Sequence, residues 1–349
     1  MTEDKGILIR NIYYMLTYAF QELRQNNYED IAKEDFERIQ DLFAEILYRG
    51  VSVQLKQGLY REYIEKRESL SILRGKLNLN GTIRERLNRR QTICCEFDEL
   101  SEDNTYNRIL FTTICMLIKS SNVCRKRRTA LKSLLPFFSN VQTIDPNAIC
   151  WSTLTFQRSN RSYRMLMNMC NFIMEGMLLT TETGTYRMAT FSDEHMNRLF
   201  ERFVLEYFRV HHKSINANAE RVDWYIDHAR ESTCIDFLPS MQTDIVLRKN
   251  GRILIIDTKY YGKILRSVHE KESISSGNMY QIFSYVKNMD KDNTGCVSGM
   301  LLYAKTEEAV SKPIDAYFGK NRIVVKTIDL NQDFSVIKEQ LDSITNYII

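Results

Sequence analysis

The stretch TDIVLRKNGRILIIDTKYY, residues 243–261, decides how the rest of the chain is read. Two runs rich in Ile, Leu and Val flank Lys249-Asn250-Gly251-Arg252. Asn-Gly between β-prone runs signals a hairpin, because a type I′ turn needs positive φ at both central residues. With Asn250 and Gly251 as the loop, Lys249 faces Arg252, Leu247 faces Leu254 and Asp244 faces Asp257. Residues directly opposite share a sheet face, as do residues two apart along a strand. Asp244, Asp257 and Lys259 are therefore expected on one face, at the end away from the turn. Val246, Ile253 and Ile255 make that face apolar, and Ile245, Leu247, Leu254 and Ile256 fill the other, so the hairpin reads as a buried central element. Two opposed carboxylates repel in such a place and call for a partner. Mg²⁺, which uses one or two carboxylates, keeps waters and binds phosphate, suits them. Lys259 adds a cation able to offset charge on a phosphate or assist an attacking water.

The constellation Asp244…Asp257-Thr258-Lys259 resembles the PD-(D/E)xK motif of Mg²⁺-dependent nucleases, with Thr243 where that motif has proline. The resemblance implies that Asp244 and Asp257 hold Mg²⁺, that the backbone carbonyl of Thr258 is a further ligand, and that Lys259 positions or deprotonates the attacking water. The competing reading is a hairpin with an ordinary Asp–Lys ion pair. Residues 193–210 form a strongly amphipathic helix ahead of the hairpin, where these nucleases carry an acidic residue near the metal. Glu201 and Glu206 are both candidates, and spacing does not choose between them. Beyond Lys259 the chain to residue 276 reads as a polar loop, with Lys263, Arg266, His269 and Lys271 as DNA-contacting groups. Residues 278–287 read as a helix with Gln281 and Tyr285 on one face. This QxxxY pattern also resembles nucleases of this class, and Gln281 is expected to orient groups around the attacking water.

With 349 residues the chain has room for two domains of ordinary size. Its 13 glycines and 4 prolines argue against long flexible linkers. A net charge of +4 permits nucleic-acid binding without arguing for it, so local patches must carry that case. No apolar run reaches a membrane span and no signal-peptide core opens the chain, so a cytoplasmic protein is expected. Eight cysteines without CxxC or Cys/His ligand spacing read as reduced, mostly buried thiols rather than a zinc site.

In order along the chain, residues 9–23 read as an amphipathic helix capped by Asn11, and residues 36–48 as a second helix. Strands are expected at 60–64, after the bend at 73–77, and at 92–97, with a short basic helix at 82–90. Helices follow at 103–119 and 124–135, the latter holding Arg125-Lys126-Arg127-Arg128, either a solvated face or a phosphate or partner contact. Residues 136–162 read as a connector, and the Met-rich helix at 164–179 as adaptable core. Strands at 300–305 and 323–328 and a helix at 332–347 complete an α/β fold. The expected division is a domain at 1–160 and a second at 161–349.

Several separate blocks carry a wider resemblance. They are Ile9-Arg10-Asn11-Ile12-Tyr13-Tyr14-Met15-Leu16 with Tyr18-Ala19, then Arg74-Gly75-Lys76 with Thr82-Ile83. Next come Phe97-Asp98-Glu99-Leu100-Ser101-Glu102-Asp103-Asn104 with Asn107-Arg108, and finally Asp244, Asp257-Thr258-Lys259-Tyr260-Tyr261 and Gln281. In these blocks and their order the chain is similar to the McrC family over its whole length. The resemblance implies the nuclease subunit of a McrBC-type, modification-dependent restriction system, acting on double-stranded DNA with modified cytosine. It implies a McrB-type AAA+ GTPase hexamer as partner, docked and stimulated by the amino-terminal half, with cleavage in the carboxy-terminal half. The chain has no G-x-x-x-x-G-K-[ST] loop, so GTP is expected on the partner. Two rival readings stand beside this one: a non-catalytic activator of an AAA+ ring, and a stand-alone nuclease, which would leave the amino-terminal half without a role.

Overall fold

The computed structural model describes residues 3–4, 7–19, 34, 36, 38–158, 160–178, 193–226, 237–260, 266–268, 271–305 and 314–348. The chain forms two compact units, Met1–Leu42 with Gly176–Ile349, and Phe43–Glu175. The expected division at 160/161 is thus corrected on both sides. The first helix, α1 (Ile9–Ala19), is built into the carboxy-terminal unit. Asn11 does not cap it. It lies inside the helix, fully buried, and its side-chain amide donates to the carbonyls of Leu330 at 2.7 Å and Gln332 at 2.8 Å. Arg10 pairs with Asp333 at 2.8 Å. Residues 20–23, the expected end of this helix, lie outside the described residues.

The unit Phe43–Glu175 takes up most of α2 (Ile39–Gln57), which runs well past the expected end at residue 48. Then follow β1 (Glu62–Leu70), β2 (Lys76–Leu77), α3 (Leu79–Leu87), β3 (Ile93–Ser101), α4 (Thr105–Lys119), α5 (Arg125–Lys132) and α6 (Tyr163–Leu178). The strands form an antiparallel sheet in the order β1-β3-β2. The Asn104…Asn107-Arg108 block is structural. Asn104 caps α4 by accepting the amide of Asn107 at 3.1 Å, and buried Asn107 donates to the carbonyls of Tyr60 at 2.8 Å and Glu102 at 2.7 Å. Arg108 forks onto Asp103 at 2.7 and 2.6 Å. The expected connector at 136–162 is not a linker. Three 3-10 turns run through it, Phe138 and Asn160 are buried, and Tyr106 donates its hydroxyl to the carbonyl of Thr155 at 2.5 Å. Met165, Met167, Met169 and Met174 of α6 are buried, as a core stripe should be. The basic run of α5 is not uniformly solvated either, since buried Arg127 pairs with Glu45.

The second unit is organised on one sheet. Its elements are α7 (Asp193–His211), β4 (Asn216–Asn218), β5 (Ile245–Lys249), β6 (Arg252–Tyr260), α8 (Ser276–Met289), β7 (Val297–Lys305), β8 (Ile314–Phe318), β9 (Asn321–Asp329) and α9 (Phe334–Asp342). The strand order is β8-β9-β7-β6-β5-β4. β6, β7 and β9 are parallel, and the outer pairings are antiparallel. A parallel pair needs a crossover, and α8 supplies it between β6 and β7. Residues 254 to 258 on β6 are fully buried, as a strand covered on both faces must be. Ile282, Tyr285 and Val286 of α8 pack with Val246, Ile255, Leu301 and Val325 of the sheet. A small pair, Arg266–Val268 with Lys271–Ser273, interrupts the segment expected to be loop. Only Cys95 and Cys170 are buried among the described cysteines, contrary to expectation.

Gly75 precedes β2 with φ +69°, and a Cβ there would lie 2.4 Å from the carbonyl oxygen of Glu96 and 2.7 Å from Cβ of Phe97. Gly75→Ala is expected to destabilise the protein by about 2 kcal/mol or more. Gly58→Ala, with φ +87° but open space around it, should cost about 1 kcal/mol. Urea unfolding midpoints of the two variants check the contrast.

Candidate active site

β5 and β6 pair as the Asn-Gly turn dictates: Arg252 faces Lys249, Leu254 faces Leu247 and Ile256 faces Ile245, with φ +49° at Asn250 and +78° at Gly251. The ladder then ends. Asp244 lies in a bend one residue before β5, so the expected facing pair with Asp257 is not a ladder pair. Asp244 turns its carboxylate across the strand end, and Oδ2 accepts the backbone N–H of Thr258 at 2.7 Å and the Thr258 hydroxyl at 2.8 Å. The side chain thereby takes a donor that a continued ladder would have given to a carbonyl. A strand residue directs its N–H and C=O to the same side, so the Thr258 carbonyl also projects towards Asp244.

Asp257 sits next along β6, at 0% exposure, within the ladder to β7. The ammonium of Lys259 lies 2.9 Å from its Oδ2. Burial pushes the carboxyl from its ordinary 3.8 to about 6, with Lys259 opposing and Asp244 adding to the rise. Across from this strand, α7 supplies a third carboxyl group. Asn197 accepts the amide of Tyr260 at 2.8 Å, which fixes the helix to β6, and Glu201 lies one turn further on. Burial raises Glu201 from 4.5 to about 7, and the charges of Asp244 and Asp257 add to this while Lys259 opposes it. Glu206 instead accepts from Arg209 at 2.7 Å. The structure thus separates the two candidates that spacing left open.

On α8, Gln281 and Tyr285 share a face as expected. The Gln281 amide donates to the Tyr285 hydroxyl at 2.8 Å, and that hydroxyl donates to the carbonyl of Gln242 at 2.9 Å. Burial raises the Tyr285 hydroxyl, the Gln281 bond opposes this, and Asp257 and Asp244 add to it. A brace beside the site went unread in the sequence. Thr243 donates its hydroxyl to the carbonyl of Glu220 at 2.8 Å, and the Glu220 carboxylate is forked by Arg248 at 3.0 and 2.6 Å. The partners stand 23 and 28 residues apart and form no motif. Lys263 and His269 lie outside the described residues, and of Arg266 and Lys271 only the backbone is described.

Among the described residues no three His, Cys, Asp or Glu side chains cluster as a ready-made metal cage. The donors nonetheless fit a hard cation that keeps its own waters: a fully buried carboxylate met by Lys259, a second carboxylate beside it and a backbone carbonyl, all oxygen.

Fold and site together define an α/β protein with two carboxylates and a lysine at the far end of a central hairpin. A family profile described as "McrBC 5-methylcytosine restriction system component" matches residues 3–304. The chain belongs to that family. It is 30% identical over 347 residues to "Type IV methyl-directed restriction enzyme EcoKMcrBC" of Escherichia coli (strain K12), covering 97% of each chain. Its fold resembles a chain of the solved structure "Refined half-complex from tetradecameric assembly of Thermococcus gammatolerans McrB AAA+ hexamers with bound McrC". The match has a TM-score of 0.53 and 21% identity, and it covers 97% of this chain and 76% of that one. No helix among the described residues is long and apolar enough to cross a membrane.

The raised carboxyl of Asp257 has a consequence for metal-free protein. The folded state holds an extra proton between pH 3.8 and about 6, so stability falls as pH rises through that interval. In EDTA at about pH 8, Asp257→Asn should therefore melt a few degrees (~2–6 °C) above the parent, and the gain should shrink towards about pH 4. Thermal scans across pH check this; an Asn variant that melts lower throughout would contradict it.

Proposed function

We propose that this chain is the Mg²⁺-dependent DNA endonuclease subunit of a McrBC-type restriction complex, cleaving DNA that contains modified cytosine together with an AAA+ GTPase partner. The observation that carries the nuclease reading is the fully buried Asp257 carboxylate, pushed towards protonation despite Lys259 at 2.9 Å and set beside Asp244. Such a group is costly to a fold unless it is used. Asp244, Asp257 and the Thr258 carbonyl would hold the ion, which when bound supplies Lewis-acid stabilisation of the scissile phosphate and a more acidic water. Asp244 is fixed for this by its two bonds from Thr258. Lys259 offers its ammonium to the phosphate or the attacking water, Gln281 is held in place by Tyr285, and Glu201 can take or give a proton near neutral pH.

The partner reading draws on the relatives' names and on the unit Phe43–Glu175. There Ile72, Leu73, Leu79, Ile83 and Leu87 are 57–78% exposed, and α3 has no buried residue. Leu79, Ile83 and Leu87, four residues apart, share one face of α3, and an exposed apolar face of this kind suits a protein contact. GTP is bound by the partner, since this sequence has no phosphate-binding loop. A cytoplasmic location follows from action on DNA inside the cell.

Reconstitution with the AAA+ GTPase, scoring GTP turnover and cleavage of modified DNA together, tests the proposal. Asp257→Ala and Lys259→Ala should each lower cleavage by about 100-fold or more while leaving GTPase stimulation intact. Cleavage by Asp257→Ala at the parent rate would refute the site, and stimulation without any cleavage by the parent chain would favour the pure activator. Conversely, Ile83→Asp with Leu87→Asp should weaken stimulation about tenfold, a change of about 1.4 kcal/mol in docking, with an unchanged unfolding midpoint.

A further inference from the structure

The turn end of the hairpin carries an arrangement that the catalytic reading leaves unused. Lys249 and Arg252 are the closing cross-strand pair, directly opposite one another. Like charges in that position destabilise a hairpin. With Lys213, which follows α7, and Arg248 they line one open concavity of about 630 Å³. No acidic side chain lines it. Arg248 is already held by Glu220, but Lys213, Lys249 and Arg252 have no ion-pair partner among the described residues.

A second concavity of this chain, of about 650 Å³ in the unit Phe43–Glu175, is lined by both signs of charge. Its Arg61, Lys66 and Arg108 pair with Glu102, Glu99 and Asp103. The hairpin end instead concentrates one sign of charge around its hollow, which attracts a polyanion. Along β6, Arg252 and Asp257 are five residues apart, about 17 Å at the usual strand rise. The hollow is therefore separate from the carboxylate centre.

We propose that this hollow is a second binding site for DNA, gripping the phosphate backbone of a duplex through Lys213, Lys249 and Arg252 without reading its sequence. The inference rests on the reading of this chain as one that acts on DNA, and it adds a contact remote from the cleavage centre. Phosphate contacts of this type hold and orient a duplex irrespective of base, so modified and unmodified DNA should use the hollow equally.

The test is fluorescence anisotropy of the full chain with a labelled duplex of about 30 base pairs in EDTA, titrated with NaCl. Lys249→Gln with Arg252→Gln should weaken binding about tenfold at about 0.1 M salt and lower the slope of log affinity against log salt by about 2, one per lost phosphate contact. The loss should be equal for modified and unmodified duplexes. Lys213→Gln, on a different element, should lower the slope by about 1 and keeps the proposal testable if the hairpin variant folds poorly. Binding is read in EDTA without cleavage, and cleavage is read separately with Asp257→Ala, so a failure of the cleavage reading and a failure of this one are distinguishable. Unchanged affinity and slope in both Gln variants would overturn the proposal. So would parent-like DNA binding combined with loss of AAA+ partner binding, which would make the hollow a seat for an acidic protein surface.

Discussion

Everything at the site depends on one carboxylate that the fold has taken out of water. Asp257 stands on a central strand of its sheet, among fully buried neighbours, and an ammonium on the same strand lies 2.9 Å from it. A buried ionised group must be paired, hydrogen-bonded or neutralised by a proton. The pair with Lys259 goes only part of the way, as the raised pKa of Asp257 shows. The strain is shared by neighbours on separate elements. Glu201 reaches the same charges from α7 and is itself pushed up to about 7. Tyr285 on α8 responds to Asp257 and Asp244 as well. Carboxyl groups that raise one another's pKa values in this way are a poor device for stability, and such arrangements gather at functional sites.

Keeping that carboxylate buried needs cover on both sides of β6. On one side α8 packs Ile282, Tyr285 and Val286 against the sheet. On the other, α7 is pinned to the strand by the Asn197–Tyr260 bond. α7 is in turn backed by α1, where Tyr18 meets Phe203 edge-on at 5.5 Å and its hydroxyl lies 2.7 Å from His211 Nε2. The amino-terminal helix is thus part of the scaffold of the site although hundreds of residues separate them in sequence. The tether of Asn11 to the carbonyls beyond β9 gives the reason. A buried amide that satisfies two backbone acceptors fixes a helix more firmly than a solvated cap can.

What could be read in the sequence was what short-range rules govern. The Asn-Gly turn set the register of β5 and β6, the four-residue spacing of Gln281 and Tyr285 placed both on one face, and the Met stripe of α6 is core. What could not be read was long-range or ambiguous in kind. A polar residue near a helix start suits a cap or a tether equally, and only the arrival of residues 330 and 332 made Asn11 a tether. Glu201 and Glu206 differ in which way they face, and the partner that decides it for Glu206 is Arg209. The parity rule put Asp244 opposite Asp257, but parity holds only while a ladder continues, and here it stops one residue short.

That early end to the ladder is the detail on which the chemistry turns. Had Asp244 remained in the strand, Thr258 would have given its N–H to a backbone carbonyl and the two carboxylates would have faced each other as a repelling pair. By leaving the ladder, Asp244 gains two donors on a single oxygen. Those bonds hold it still, whereas burial drives Asp257 towards protonation. Two similar side chains are thereby given different surroundings by one break in backbone pairing. The hairpin that makes this possible is anchored at its other end by the tight turn and the Arg248–Glu220–Thr243 brace, which leads back to the residue before Asp244. The position of that carboxylate is therefore set from both directions, by Thr258 across the strand end and by Glu220 behind it.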